Sequence, residues 1–148
     1  MDNYTSGDKV FNGASGTQFN TKSIAEEITI AVGAGNTPAV ATSGNLAPAG
    51  SLMTGVVWRV TQAPGGGATT LDIGRTSGGN LDEFTDGASC DILGETGTNL
   101  LNGDTAHTGT QRNVSADTLT FTTDADVTVS DMKVRVVVFY QDLTAPTA

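Results

Sequence analysis

The chain has 148 residues, a formal net charge of −9, 37% hydrophobic and 16% charged residues, and 19 glycines. That length suits one domain with a real core, folding of which removes roughly 68–70% of the unfolded chain's surface from water. The acidic balance disfavours nucleic-acid binding, which relies on Lys and Arg against phosphate, and an anionic membrane surface likewise; the scarcity of helix-forming residues argues for β-structure with many turns.

Residues 1–23 are rich in Gly, Asn, Ser and Thr, with isolated Tyr4, Val10, Phe11 and Phe19. They read as a flexible N-terminal arm ahead of a single domain over 24–148. They hold no charged-then-apolar segment before a small-residue cleavage site, and no apolar run in the chain reaches 18 residues, so the expected place of folding is a cytoplasm. Residues 24–34 then alternate, with Ile24, Ile28, Ile30 and Val32 on one face of a strand and Glu26 the polar intruder among them.

The stretch 35–51 holds two prolines and three glycines, which suits turns and at most a short edge strand at Val40. LMTGVVWRVTQA follows, with Val56, Trp58 and Val60 on one face and Val57 and Arg59 on the other. Pro64 and three successive glycines supply a loop, and TLDIGR brings Leu71 and Ile73 back to the core. Together these two strands read as a hairpin with a flexible tip.

Residues 76–117 are the least periodic, with small apolar clusters at Leu81 and Phe84, Ile92 and Leu93, and Leu100 and Leu101. Forty residues without structure would be unusual in a compact domain, so short strands or a helical turn are expected there. DTLTFTTD alternates Leu119 and Phe121 against threonines, and ADVTVSD allows a short strand or a turn. Last comes DMKVRVVVFYQD, where Met132, Val134, Val136, Val138 and Tyr140 share one face. Its other face begins polar with Lys133 and Arg135 and turns apolar at Val137 and Phe139. At least five strands between Gly, Pro and Asn turns give the expected fold: all-β, an antiparallel β-sandwich, with a jelly roll among its forms.

Chemistry-bearing motifs are sparse. Cys90 is the only cysteine, so no internal disulfide forms and a bland structural thiol is expected. A triad of Cys90, His107 and Asp104 can be written down, but its members fall in loops, and the VGAGNTPA and PGGGATT glycines lack the helix or lysine of a phosphate site. The acidic clusters Asp82, Glu83, Asp86, Asp91 and Asp124, Asp126, Asp131 could wrap Ca²⁺ or supply a hydrolase pair, yet their spacing is not that of a calcium loop. Solvated, strand-ending acids are the plainer reading, with no cofactor and no catalytic residue.

Residues 26–84, from EEITIAVGAGNTPAV through SLMTGVVWRVTQAPGGGATTLDIGR to NLDEF, together with LTFTTDADVTVSDMKVRVVVFY, resemble the cement or decoration proteins on the outside of tailed-phage heads. The resemblance covers most of 24–141 and is one of pattern. It implies a non-enzymatic virion protein, made in the host bacterial cytoplasm, sitting on the outer capsid surface as a homotrimer and bridging major capsid proteins. A tail, fibre or host-attachment module shares similar Thr- and Gly-rich segments and is the alternative; a small hydrolase or sugar-binding protein is a third class. Under the cement reading the candidate subunit or capsid contacts are Phe139, Val137 and Arg135 on the last strand, and Tyr4, Phe11 and Phe19 on the arm.

Overall fold

The computed structural model of the chain describes residues 20–77, 81–99 and 115–143. Eight strands occupy them: β1 (Asn20–Ile30), β2 (Val40–Ala41), β3 (Ser51–Gln62), β4 (Thr70–Arg75), β5 (Thr85–Ser89), β6 (Thr96–Asn99), β7 (Leu119–Thr123) and β8 (Met132–Asp142). They form two four-stranded sheets, in the orders β1-β8-β3-β6 and β2-β7-β4-β5. The first strand pairs antiparallel with the eighth, the second with the seventh, the third with the sixth and the fourth with the fifth. The chain is thus one long hairpin of paired strands, rolled so that β8 also meets β3 and β7 also meets β4. That is the strand order of a jelly roll, and the expected all-β sandwich is the fold observed.

The core lies between the sheets. Met132, Val134, Val136 and Val138 of β8 are fully buried, as are Ile30 of β1, Val60 of β3, Leu71 and Ile73 of β4, and Leu119 and Phe121 of β7, with Trp58 of β3 almost so. Burying each such side chain is worth about 1.5–3 kcal/mol. The alternation on which these strands were recognised is therefore the division between core and exterior. In β3 the phase changes: Ser51 and Met53 point inward, and so do Val56, Trp58 and Val60, with a register shift between Met53 and Gly55 that moves the inward face by one residue. A bulge does this because one extra residue on one strand resets which side chains face the partner sheet.

Three expectations need correcting. The arm does not run to residue 23, because β1 begins at Asn20 and pairs with β8 over its whole length. The segments around Trp58 and Leu71 are not a hairpin, since β3 and β4 lie in different sheets. Proline and glycine announce a reversal of the chain but not the layer it lands in. The glycine tip, moreover, is pinned: Thr128 N–H donates to the Gly66 carbonyl and Ser130 N–H to that of Pro64, each at 3.1 Å. Gly67, at φ 87°, is required there, because a Cβ would strike the carbonyl oxygen of Asp126. Of the two forms open to ADVTVSD, a short strand or a turn, the chain takes no strand there and bends as a loop. The 76–117 stretch does carry the short strands expected of it, β5 and β6, and Val40 does mark an edge strand, β2.

Candidate functional site

The side chains of β8 that turn away from the core lie on the outer face of the β1-β8-β3-β6 sheet, and the pairing register shows what surrounds them. Val137 stands between Ala25 of β1 and Val57 of β3, and Phe139 between Ser23 and Gly55. Phe139 is exposed and Val137 half-buried. Neither residue belongs to the buried core or to the half-buried side chains packed on it, so the broken alternation of DMKVRVVVFYQD produces an apolar patch on the exterior. Ala25 and Val57 complete it, and they become recognisable only once the cross-strand partners of Val137 are known.

Towards the other end of the same face the patch becomes cationic. Arg135 stands directly opposite Arg59 on one side and Glu27 on the other, and Lys133 lies one step further along β8. Two arginines facing each other across an antiparallel pair cost stability, because like charges sit at the closest cross-strand distance. Among the described residues Arg59, Lys133 and Arg135 form no ion pair. Glu27 instead accepts a 3.0 Å hydrogen bond from the Thr61 hydroxyl. An apolar strip beside unneutralised arginines is a composition suited to contact with another protein.

Of the carboxylates singled out in the sequence, the later cluster of Asp124, Asp126 and Asp131 is directed at backbone N–H groups of the loops. Asp126 accepts from the N–H groups of Asn36 and Thr37 at 2.9 and 2.8 Å, and Asp131 from Val32 N–H at 2.9 Å. Asp124 accepts from both the hydroxyl and N–H of Thr69, at 2.6 and 2.8 Å, and from Thr70 N–H at 3.0 Å. Partial burial works to raise the Asp124 pKa, but these donors outweigh it and hold it at about 2. Glu26, the intruder on the inner face of β1, has the same role: its carboxylate takes the N–H groups of Ser43 and Gly44 and the Ser43 hydroxyl. Burial opposes its ionisation, and the Ser43 and Gly44 donors lower its pKa nonetheless. Of the other cluster, Glu83 is buried against Arg75, with both guanidinium contacts at 2.7 Å, while Asp82, Asp86 and Asp91 are exposed. Among the described residues no group of three or more His, Cys, Asp and Glu is placed to hold a metal ion.

A pH dependence follows. Because the folded pKa of Asp124 lies below its unfolded value, its contribution to stability is fully present above about pH 4 and is lost as the pH falls towards 2. Asp124→Asn is expected to lower stability at pH 7 by about 1 kcal/mol, once solvent screening at this exposed position is allowed for. The gap between variant and parent should close by about pH 2 in urea unfolding curves; a gap that persists there would mean the side chain acts through packing instead.

Cys90 is fully buried, and burial, aided by the charges of Asp124, Asp91, Asp72 and Glu95, pushes its thiol up to about 12. It is un-ionised near neutral pH and poorly suited to act as a nucleophile. Its imagined partners Asp104 and His107 lie outside the described residues, as do Tyr4, Phe11 and Phe19 of the arm and the Leu100–Leu101 pair. Of the candidate contacts, the structure brings Phe139, Val137 and Arg135 to one outward face. Among the described residues, no helix is long and apolar enough to cross a membrane.

No protein-family model and no curated protein matches the chain. Solved structures do match in fold. A chain described as "Cyanophage Pam1 capsid asymmetric unit" superposes with a TM-score of 0.58 at 15% identity, over 95% of this chain and 96% of that one. Another, "Capsid of Ralstonia phage GP4", gives a TM-score of 0.52 at 14% identity, over 85% and 86%. The architecture is thus shared, nearly end to end, with chains from phage capsid structures.

Proposed function

We infer that this chain is a non-catalytic structural protein of a phage particle, bound to the outside of the head as a cement protein that bridges major capsid proteins, and trimeric in its working form. The observation that carries this reading is the shared architecture over almost the full length of a chain from a phage capsid. The loop carboxylates, held to backbone N–H groups, and the un-ionised thiol of Cys90 fit a role based on contact. Such a protein works by added interface. Each contact of ordinary size, about 800 Å² per partner, repeated over the many sites of a shell, raises the barrier to its rupture without chemistry.

The reading is tested by locating and counting the protein in purified particles. Gold-labelled antibody should decorate the whole head, and quantitative mass spectrometry should find hundreds of copies. Label confined to one vertex, with a handful of copies, would replace the cement reading with a tail or attachment module.

A further inference from the structure

The four loops 31–39, 63–69, 90–95 and 124–131 all lie at one end of the sandwich, side by side. Gly33 N–H donates to Val127 O, Thr128 N–H to Gly66 O and Cys90 N–H to Thr69 O, which ties each loop to the next. This end combines two properties. Val32, Ile92, Leu93 and Val129 are 50%, 59%, 65% and 70% exposed there, although apolar. The same loops contain Asp91, Glu95, Asp124, Asp126 and Asp131, and no lysine, arginine or histidine.

The outer face of the β1-β8-β3-β6 sheet has the complementary composition. Ala25, Val57, Val137 and Phe139 make an apolar strip, and Arg59, Lys133 and Arg135 border it, three cations against the single acid Glu27 opposite Arg135. Those three are a substantial share of a chain with only seven Lys and Arg in all against 16 acids. We propose that the acidic, apolar loop end of one copy docks on the cationic, apolar outer sheet face of the next. Such a contact joins two different surfaces, so it is heterologous, and it closes into a ring when the rotation per copy allows. Apolar side chains cover one another at its centre while opposite charges set the register and speed encounter. This deepens the trimeric part of the reading above and is independent of its shell-binding part.

Solution mass tests it without any shell. By light scattering the full chain should have a mass that is a multiple of 15.0 kDa, falling as salt rises from 50 mM to 1 M. Arg59→Glu with Lys133→Glu should give a folded 15.0 kDa monomer, since neither side chain is in an ion pair and Glu at 59 would face Arg135 favourably. Asp91→Lys with Glu95→Lys should do the same. The four substitutions together exchange the charges of Arg59 and Lys133 with those of Asp91 and Glu95, leaving the carboxylates of Asp124, Asp126 and Asp131 on their backbone N–H donors, and should restore the assembly at least tenfold in association constant over either pair. A monomeric parent at 100 μM, an assembly indifferent to either pair, or a fourfold variant that stays monomeric would each overturn the contact. Head labelling of the parent would still decide the cement reading separately.

Discussion

Trp58→Ala is expected to lower the unfolding free energy by about 3–5 kcal/mol, the range for deleting a buried aromatic side chain. Trp58 is almost fully buried at the middle of β3, and its indole Nε1–H donates to the Thr85 hydroxyl at 3.0 Å, tying the first sheet to β5 of the second. The space it occupies is defined on the other side by Gly97 of β6, its direct cross-strand partner, where any Cβ would collide with the indole ring. Alanine therefore removes the largest core side chain, leaves Thr85 without its donor and opens a cavity beside a glycine that cannot fill it. Circular dichroism during urea unfolding checks this, because the chain has no other tryptophan to report by fluorescence. A loss below about 1 kcal/mol would show that the site collapses without penalty. Trp58→Phe should fall between, retaining much of the apolar area and losing the hydrogen bond.

Glu83→Ala is the second large effect, at about 3 kcal/mol. Glu83 and Arg75 meet in a two-pronged contact with both side chains largely withdrawn from water. Burying such a pair costs desolvation that the attraction roughly returns, so the pair adds little net stability while the loss of one partner is expensive. The paired change Arg75→Met with Glu83→Leu should accordingly recover most of what Glu83→Ala loses, and the coupling energy from the full cycle separates the charge from the packing. If the single and double variants lose equally, the ion pair is not the source of the effect.

Much of this fold could be read from the alternation of single strands. Period two places Met132, Val134, Val136 and Val138, Leu119 with Phe121, and Leu71 with Ile73 in the core, and each is buried, while Tyr140 on the same face is only half-buried. What escaped the sequence was partnership. β5 and β6, spelled TDGAS and TGTN, hold almost no apolar side chain; they are strands because β4 and β3 offer them a ladder, a cause that local pattern does not contain. Glu26 looked like an error on an inner face, and its purpose became visible only with the Ser43–Gly44 turn above it. The acidic clusters were plain along the chain, but a carboxylate directed at a metal and one directed at a neighbouring N–H are written with the same letters. Val137 and Phe139 stand apart from these: the anomaly itself was legible, and the register supplied Ala25 and Val57 beside it.

The rolled pairing has a consequence for how the molecule is made. β8, the last of the described strands in chain order, lies between β1 and β3. Until it arrives, the first sheet has no middle, and β1 waits for β8, its partner among the described strands, through the synthesis of everything between them. Contacts so distant in sequence place the domain among slow folders, on a scale of milliseconds to seconds. Chains cut short before Met132 would expose the edges and apolar faces of both flanking strands, the kind of surface that recruits other unfinished chains. Since Asn20 and Asp142 are pairing partners, a short bridge between them would let the chain begin elsewhere and deliver β8 early.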